Sequence, residues 1–316
     1  MSQTRREFMG TVSTAAAVCL TTKVDANDDP PSDPGYIDAH SHIWTRDIEA
    51  YPLANGNTLD DLKPPSFTTE ELLELVRPHG VTRIVLIQHR PYHGVDNSYM
   101  LDSIKKYPGV FTAVACVDAT KSDVTSEMSR LQKEGAGAFR ITPSEDGTTP
   151  WTESKGVRSM WQHAGEHGMT ICPLINPEHL PMADKMCEEY PDTPVVIDHF
   201  SRIGGDGVIR ETDLKTLAGL ARHKHTHVKV SAFYAFGKKQ PPYDDLISMI
   251  RRLYDAYGPE RLMWASDLPY QLNGDNTYGD SLALIRERID FLSPADKEWL
   301  LRKTAARVYF GESVSA

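Results

Sequence analysis

The feature that most constrains the fold is a regular alternation of short apolar runs with amphipathic stretches, which begins at residue 36. The runs are rich in β-branched residues and are typical of strands. Eight such runs occupy 36–44, 82–89, 110–118, 137–142, 169–176, 194–200, 227–234 and 261–269. Strands that alternate with helices form parallel sheets. Eight units therefore predict an α/β protein, a closed (β/α)8 TIM barrel.

Helical patterns fill the gaps between these runs. In residues 67–80, Thr68 and Glu71 have the spacing of a capping box, and leucines follow on one face. Residues 242–258 and 280–292 show the same period. A doubly wound open sheet is the alternative, but no GxGxxG motif follows a strand. A barrel needs about 250 residues, so 36–316 are predicted to form a single domain.

The N-terminal segment is set apart from the barrel by its composition. Residues 4–10, TRREFMG, place Arg5 and Arg6 before the mildly apolar run TVSTAAAVCL. This arrangement resembles a twin-arginine export signal. We therefore expect a signal peptide over 1–26, a Pro-rich linker over 27–35, and a periplasmic protein. A flexible basic N-terminus without a targeting role is the alternative.

The charge and apolar content restrict the partners. The 316 residues carry a formal net charge of −10, and no basic stripe with interleaved aromatics is present. This pattern argues against a nucleic-acid partner. No segment after the N-terminal region approaches the roughly 20 apolar residues that span a bilayer. We expect a small-molecule substrate and no membrane span, with the oligomeric state open. Cys116, Cys172 and Cys187 are predicted to be buried free thiols.

Four polar side chains stand at the predicted carboxyl ends of strands, where barrels of this kind place their chemistry. His40 and His42 end the first strand, His199 ends the sixth, and Asp267 ends the eighth. Three imidazoles and a carboxylate suit Zn²⁺ or a similar divalent ion. The sequence therefore predicts a metal site at the barrel mouth. A buried, hydrogen-bonded polar cluster without an ion is the alternative.

The first strand, YIDAHSHIW, carries the densest set of ionisable groups. Strict alternation would place Asp38 on the same face as His40 and His42, with Ile37 and Ala39 on the other. Three ionisable groups on one face of a buried strand are costly unless something pairs with them. A metal ion is the simplest partner.

Other polar residues lie at the same predicted rim. Arg140 could bind a substrate carboxylate or carbonyl, or could form an ion pair with a strand-end acid. His89, Tyr92 and Tyr234 are predicted to contact substrate. For Tyr92, a solvated loop over 89–94 is the alternative. Lys229 alternates with valines, so its side chain is expected inside the barrel, where it could pair with a carboxylate.

Four motifs carry a family resemblance: DAHSHIW at 38–44, VVIDHF at 195–200, VKVSAF at 228–233 and RLMWASDLP at 261–269. They resemble the corresponding motifs of the amidohydrolase superfamily. The similarity spans most of 36–309. It is greatest to the branch of metal-dependent barrel hydrolases of the amidohydrolase-2 type that includes lactonases.

The resemblance implies a role for each residue of the site. His40, His42 and His199 match the family's strand-one pair and strand-six histidine, and Asp267 matches the strand-eight acid and base. The implied reaction is hydrolysis of a lactone, such as a sugar lactone or similar ester. Asp267 and His199 are the implied catalytic residues, and one divalent metal, zinc, the implied cofactor. Binuclear relatives carry a carboxylated lysine on strand four, where this chain has Arg140. One ion, or none, is therefore expected.

Two alternative functions remain open at this stage. A non-oxidative decarboxylase of the same superfamily would share the barrel and the metal. A catalytically inactive exported binding protein would share the barrel alone. Enzymes that open pyrone dicarboxylates place an arginine after the seventh-strand motif, where this chain continues SAFYAFGKK with Tyr234. The resemblance therefore favours a neutral, polyhydroxylated lactone over a dicarboxylate.

Overall fold

A computed structural model describes residues 34–143 and 151–314. The expected signal peptide, 1–26, and most of the expected linker, 27–33, lie outside the described residues. Eight parallel strands form one sheet in sequence order. They are β1 (Tyr36–Ser41), β2 (Val81–Ile87), β3 (Phe111–Ala115), β4 (Ala138–Ile141), β5 (Thr170–Pro173), β6 (Val195–Ile197), β7 (Thr226–Ser231) and β8 (Leu262–Ala265). The predicted (β/α)8 barrel is confirmed. Each strand ends before its predicted limit, because the chain leaves the sheet to form the rim.

The barrel closes between its first and last strands. Ser41 forms a parallel bridge with Leu268, just beyond the end of β8. The His42 N–H donates to the Leu268 carbonyl at 2.8 Å, and the Asp267 N–H donates to the His40 carbonyl at 2.9 Å. The hydrogen bonds that close the barrel therefore come from the backbone of the predicted metal ligands.

Helices connect the strands along the chain. They are α1 (Thr69–Val76), α2 (Arg90–His93), α3 (Ser98–Lys106), α4 (Val124–Lys133), α5 (Lys155–His167), α6 (Leu180–Glu189), α7 (Glu211–Gly219), α8 (Ile247–Tyr257), α9 (Tyr278–Ala283), α10 (Pro294–Glu298) and α11 (Thr304–Phe310). The predicted capping box begins α1, where Thr68 Oγ1 accepts from the Glu71 N–H and the Glu71 carboxylate accepts from the Thr68 N–H. Within 34–143 and 151–314, no helix has the length and apolarity that crossing a membrane requires.

A small apolar cluster fills one end of the barrel. It draws on alternate residues of the strands and on α11. Tyr309 of α11 reaches this cluster, and its hydroxyl lies 3.4 Å from Cys172 Sγ. Cys116, Cys172 and Cys187 are buried free thiols, as predicted. Since this end is apolar, the polar residues inside the barrel are confined to the other end.

One prediction about β1 is wrong. Ile37 and Ala39 belong to the apolar cluster inside the barrel, and Asp38 points the other way. The Asp38 carboxylate accepts from the Ser266 backbone N–H at 2.9 Å and from the Tyr278 hydroxyl at 3.1 Å. The pairing register of β1 with β2 shifts after Asp38, so strict alternation fails there. Asp38 is satisfied by hydrogen bonds and is not part of the metal site.

Candidate active site

Three predicted ligands converge at the polar end of the barrel. The Nε2 atoms of His40 and His42 lie 3.3 Å apart, and each lies 3.3 Å from Asp267 Oδ1. All three side chains are buried. Ligands at about 2.0 Å from a tetrahedral ion stand about 3.3 Å from one another. The three atoms therefore have the spacing of three corners of such a site, and the donor set suits a divalent metal.

Each imidazole is oriented by a partner on its other nitrogen. His42 Nδ1 donates to the Ile87 carbonyl at 2.9 Å, which assigns the proton to Nδ1 and leaves the Nε2 lone pair facing the centre. His40 Nδ1 lies 3.4 Å from a carboxylate oxygen of Asp198. Partners of this kind are typical of metal-binding histidines, because they fix the tautomer and the ring orientation.

The fourth predicted ligand lies slightly farther out. His199 Nε2 is 3.9 Å from Asp267 Oδ1, and its ring centroid is 4.3 Å from that of His40. Ser231 Oγ lies 3.4 Å from the Lys229 carbonyl and 2.8 Å from His199 Nδ1. With Ser231 donating to that carbonyl, His199 Nδ1–H donates to Ser231, and Nε2 faces the site. His199 is therefore placed to act as a ligand or as a neighbour of the bound substrate.

A buried charge cluster lies beside the metal-site residues. Lys229 Nζ is 2.9 Å from Asp198 Oδ1 and 3.3 Å from His40 Nδ1. Arg140 Nη2 is 3.0 Å from the other Asp198 oxygen. Burial favours the neutral form of Asp198, but the two cations hold its pKa well below the usual range. The predicted pairing of Lys229 with a carboxylate is confirmed, and Arg140 forms the ion pair that the sequence left open.

Asp267 is held by a further hydrogen bond. The Tyr234 hydroxyl donates to Asp267 Oδ2 at 2.6 Å, so its two oxygens have different environments. Burial alone would raise the pKa of Asp267, but His199, His42 and His40 lower it overall. Asp267 is therefore ionised at neutral pH. Tyr234 lines the cavity and also positions this carboxylate, a role that the sequence did not reveal.

His89 and Tyr92 have different positions. His89 lines the cavity, and its Nε2 lies 2.5 Å from the Tyr270 hydroxyl. The Tyr92 ring packs on His89 with centroids 4.1 Å apart, and its hydroxyl donates to the Asp61 carbonyl at 3.1 Å. The structure thus places Tyr92 behind His89 as a support for this side chain, and Tyr92 is not among the residues that line the cavity. Tyr270, which the sequence analysis missed, takes a place on the wall.

The cavity above these residues is large. Its volume is about 1920 Å³, and its wall includes residues that follow several of the strands. His199 and Asp267, which end their predicted strands, have positive φ angles of 48° and 67°. Non-glycine residues in this conformation store strain of order 1–3 kcal/mol each and are concentrated at functional sites. The turns that follow β6 and β8 therefore place two residues of the site at an energetic cost.

Comparison with known proteins agrees with this geometry. The family model for amidohydrolases matches residues 37–311. The chain belongs to the amidohydrolase family. This amidohydrolase is 27% identical to the 4-sulfomuconolactone hydrolase of Hydrogenophaga intermedia over 75% of each chain. It is also 27% identical to the L-fucono-1,5-lactonase of Burkholderia ambifaria, over 86% of this chain and 94% of the relative.

A solved amidohydrolase from Burkholderia multivorans with bound zinc has the same fold. It superposes with a TM-score of 0.73 at 18% identity and covers 87% of this chain and 99% of its own. At that identity the likeness establishes the fold alone. The family predicted from the four sequence motifs is confirmed by the match over 37–311.

Proposed function

We propose that this amidohydrolase opens a lactone ring by adding water. The observation that carries the proposal is the buried carboxyl group of Asp267, 3.3 Å from both His40 and His42, at the base of an open cavity. The two relatives described above are named as lactone hydrolases. A carboxylate in this setting can accept a proton from water within a site that is largely shielded from solvent.

The proposed cofactor is one divalent ion, zinc, held by His40, His42 and Asp267, with His199 beside them. When bound, such an ion supplies Lewis-acid polarisation of the lactone carbonyl and lowers the pKa of water to about 7. A site for a second ion is disfavoured, because Lys229 and Arg140 place two fixed positive charges around Asp198. A second cation bound at Asp198 would lie next to these two positive charges, and like charges in contact repel strongly in a buried site.

The protein residues account for the proton transfers. Asp267 accepts a proton from the attacking water as the new carbon–oxygen bond forms. It then returns this proton to the ring oxygen as the ring bond breaks, which yields a hydroxy acid. The Tyr234 hydroxyl holds Oδ2 and thereby keeps Oδ1 turned toward the two histidines. His199 lies close enough to orient the bound ester.

A screen of lactones, with proton release followed by an indicator, tests this function directly. We expect the wild type to open at least one lactone class and Asp267→Asn to lose activity by more than 10²-fold, the lower range of general acid–base effects. Asp213→Asn is the matched control, because Asp213 lines the outer cavity and is only partly buried. Carbon dioxide release from aromatic carboxylates, with no lactone opened, would instead indicate a decarboxylase. Binding without turnover, unchanged in Asp267→Asn, would indicate an inactive binding protein.

We also propose that the chain is exported by the twin-arginine route to the periplasm. The support is the Arg5–Arg6 pair before an apolar run. Cell fractionation of the full chain should place it in the periplasm, and the double variant Arg5→Lys, Arg6→Lys should remain in the cytoplasm. Cytoplasmic location of the wild type would contradict this proposal.

A further inference from the structure

The turn after β6 has an unusual backbone. His199, Phe200, Ser201 and Arg202 have φ angles of 48°, 52°, 54° and 58°, so four consecutive non-glycine residues are left-handed. L-amino acids normally visit this conformation singly, at a cost of roughly 1–2 kcal/mol per residue. A run of four persists only when the surrounding structure imposes it.

The two middle residues anchor this turn. The Phe200 ring is fully buried and lies 6.2 Å from the Phe233 ring and 6.1 Å from the Phe236 ring. Ser201 Oγ donates to the Ile175 carbonyl at 3.3 Å. With the middle of the turn fixed, both of its ends line the cavity: His199 at the metal site and Arg202 beyond it. The strained turn therefore brings a guanidinium to the same cavity as the reacting groups.

Arg202 has no close acidic partner. Its Nη1 donates to the neutral Asn176 Oδ1 at 3.3 Å. Among residues 34–143 and 151–314, no carboxylate oxygen lies within 4.0 Å of this guanidinium. The Asn176 amide in turn donates to Glu178 at 3.0 Å. This acid lies beyond 4.0 Å from the guanidinium but near enough for the Arg202 charge to act on it.

Arg90 also lines the cavity, where it donates to the Thr142 hydroxyl at 2.6 Å and has no carboxylate within 4.0 Å among the described residues. The other two arginines of the wall are neutralised. Arg140 pairs with Asp198 at 3.0 Å, and Arg210 pairs with Asp206 at 2.7 Å. Arg202 also lies close enough for its charge to act on the phenol of Tyr234, the residue that holds Asp267. A guanidinium near the reaction centre, without a carboxylate of its own, matches the planar oxygens of a carboxylate or sulfonate.

We propose that Arg202 binds an anionic group of the substrate, so that the preferred lactone carries a carboxylate or sulfonate. This inference rests on the proposed lactone hydrolysis. It departs from the neutral substrate that the sequence favoured, because the turn after β6 supplies an arginine where the segment after β7 has none.

The test compares a neutral lactone with the same ring bearing a carboxylate. We expect the wild type to prefer the carboxylated ring. Arg202→Gln should lose about 10- to 100-fold in kcat/KM for it, mainly through KM, since bonds to charged groups contribute 1.5–3 kcal/mol. The kcat/KM of Arg202→Gln for the neutral lactone should differ from that of the wild type by less than threefold. Arg202→Lys should retain part of the preference, and Arg210→Gln, the matched control, should retain all of it.

Two outcomes would overturn the assignment of Arg202: a wild type that prefers the neutral ring, or an Arg202→Gln variant that loses both activities equally. If the wild type opens neither ring, the proposed function fails. Calorimetry with the hydroxy dicarboxylate product then still tests Arg202, because binding should weaken at least tenfold in Arg202→Gln and not in Arg210→Gln. Thermal unfolding of each variant checks that the turn is intact.

A different observation, on His89, points to a second residue. The His89 side chain is 3% exposed, and its Nδ1 has no hydrogen-bond partner within the described part of the chain. Buried N–H groups without an acceptor are rare, so the proton belongs on Nε2. His89 then donates to the Tyr270 oxygen, and the Tyr270 hydroxyl proton remains free. Burial also raises the pKa of Tyr270, which keeps that proton in place.

We infer that Tyr270 donates its hydroxyl proton in a hydrogen bond to the lactone carbonyl oxygen, on which negative charge develops. This inference also rests on the proposed hydrolysis. Tyr270→Phe should lower kcat by about 10²- to 10³-fold, the effect of removing one such donor, with KM and metal content unchanged. Tyr92→Phe is the matched control, because its hydroxyl bonds to the backbone behind the wall.

A kcat within threefold of wild type in Tyr270→Phe would refute this role. A cyclic phosphonate, whose oxygen imitates the developing charge, gives a readout that does not depend on turnover. It should bind about 100-fold more weakly to Tyr270→Phe than to wild type. Equal binding by the two proteins would refute the role even if the natural lactone is never found.

Discussion

Replacing Lys229 by methionine removes a fully buried ammonium from the charge cluster beside the metal site. Methionine has a similar length and no charge, so the main change is electrostatic. Removing one partner of a buried ion pair typically costs 3–5 kcal/mol, because the other charge is left without compensation. Arg140 still pairs with Asp198 at 3.0 Å. We therefore expect the free energy of unfolding to fall by about 3 kcal/mol, the lower end of this range.

Urea unfolding at pH 7 measures this loss. The exposed Lys185, whose Nζ is 3.9 Å from Glu189, provides the control, and Lys185→Met should change stability by less than about 0.5 kcal/mol. The double variant Lys229→Met, Asp198→Asn should recover part of the loss, because it also removes the uncompensated charge. The reasoning would be refuted if Lys229→Met lowered the free energy of unfolding by less than about 1 kcal/mol. It would also be refuted if the loss in the double variant equalled the sum of the losses in the two single variants.

The same pair has a defined pH dependence. The pKa of Asp198 is held below its usual value of 3.8, so the folded state releases this proton more easily than the unfolded chain. The stability that Asp198 contributes is fully present above its pKa in the unfolded chain. It declines as the pH falls toward the pKa of Asp198 in the folded state. In Lys229→Met the depression is smaller, so the folded pKa is higher and the protein gains less stability from this group at neutral pH.

Three further predictions concern the site and the surface. His42→Ala should lose the bound metal, measured by elemental analysis, while circular dichroism shows an intact barrel; full metal content would contradict the ligand assignment. Tyr234→Phe should weaken metal affinity about 10- to 100-fold in a chelator titration, because Asp267 loses its orienting partner. Glu70 has its pKa lowered to about 2 by Lys106 and Tyr107, against the effect of burial. Glu70→Gln should cost about 0.5–1 kcal/mol at pH 7, discounted for exposure, and nothing below pH 2.

The sequence predicted the barrel because eight strands repeat one local pattern, and each strand carries its own signal. It predicted His40, His42 and Asp267 because strand ends fix where such residues meet. It could not predict the direction of Asp38, because a register shift in β1 depends on pairing with a neighbour. Alternation holds only while the pairing is regular.

Residues beyond the strand ends were harder to place. Arg202 reaches the cavity through a left-handed turn that Phe200 anchors, and no local propensity favours that conformation. Tyr270 was missed because its position depends on where the chain turns after Asp267. Tyr92 was expected at the cavity because it follows His89 closely, yet its hydroxyl bonds to the 61–63 loop. Loop side chains depend on distant packing, which a single sequence does not specify.

A ring of strands has one seam, and in this protein the seam runs between the first strand and the segment after the last. The backbones of His40 and Asp267 are joined across it at 2.9 Å, and their side chains face the same centre. An ion in that centre would act as a clasp, tying the beginning of the barrel to its end. Metal binding should then slow amide hydrogen exchange along the seam more than elsewhere. The ion would thus stabilise the barrel in addition to supporting catalysis.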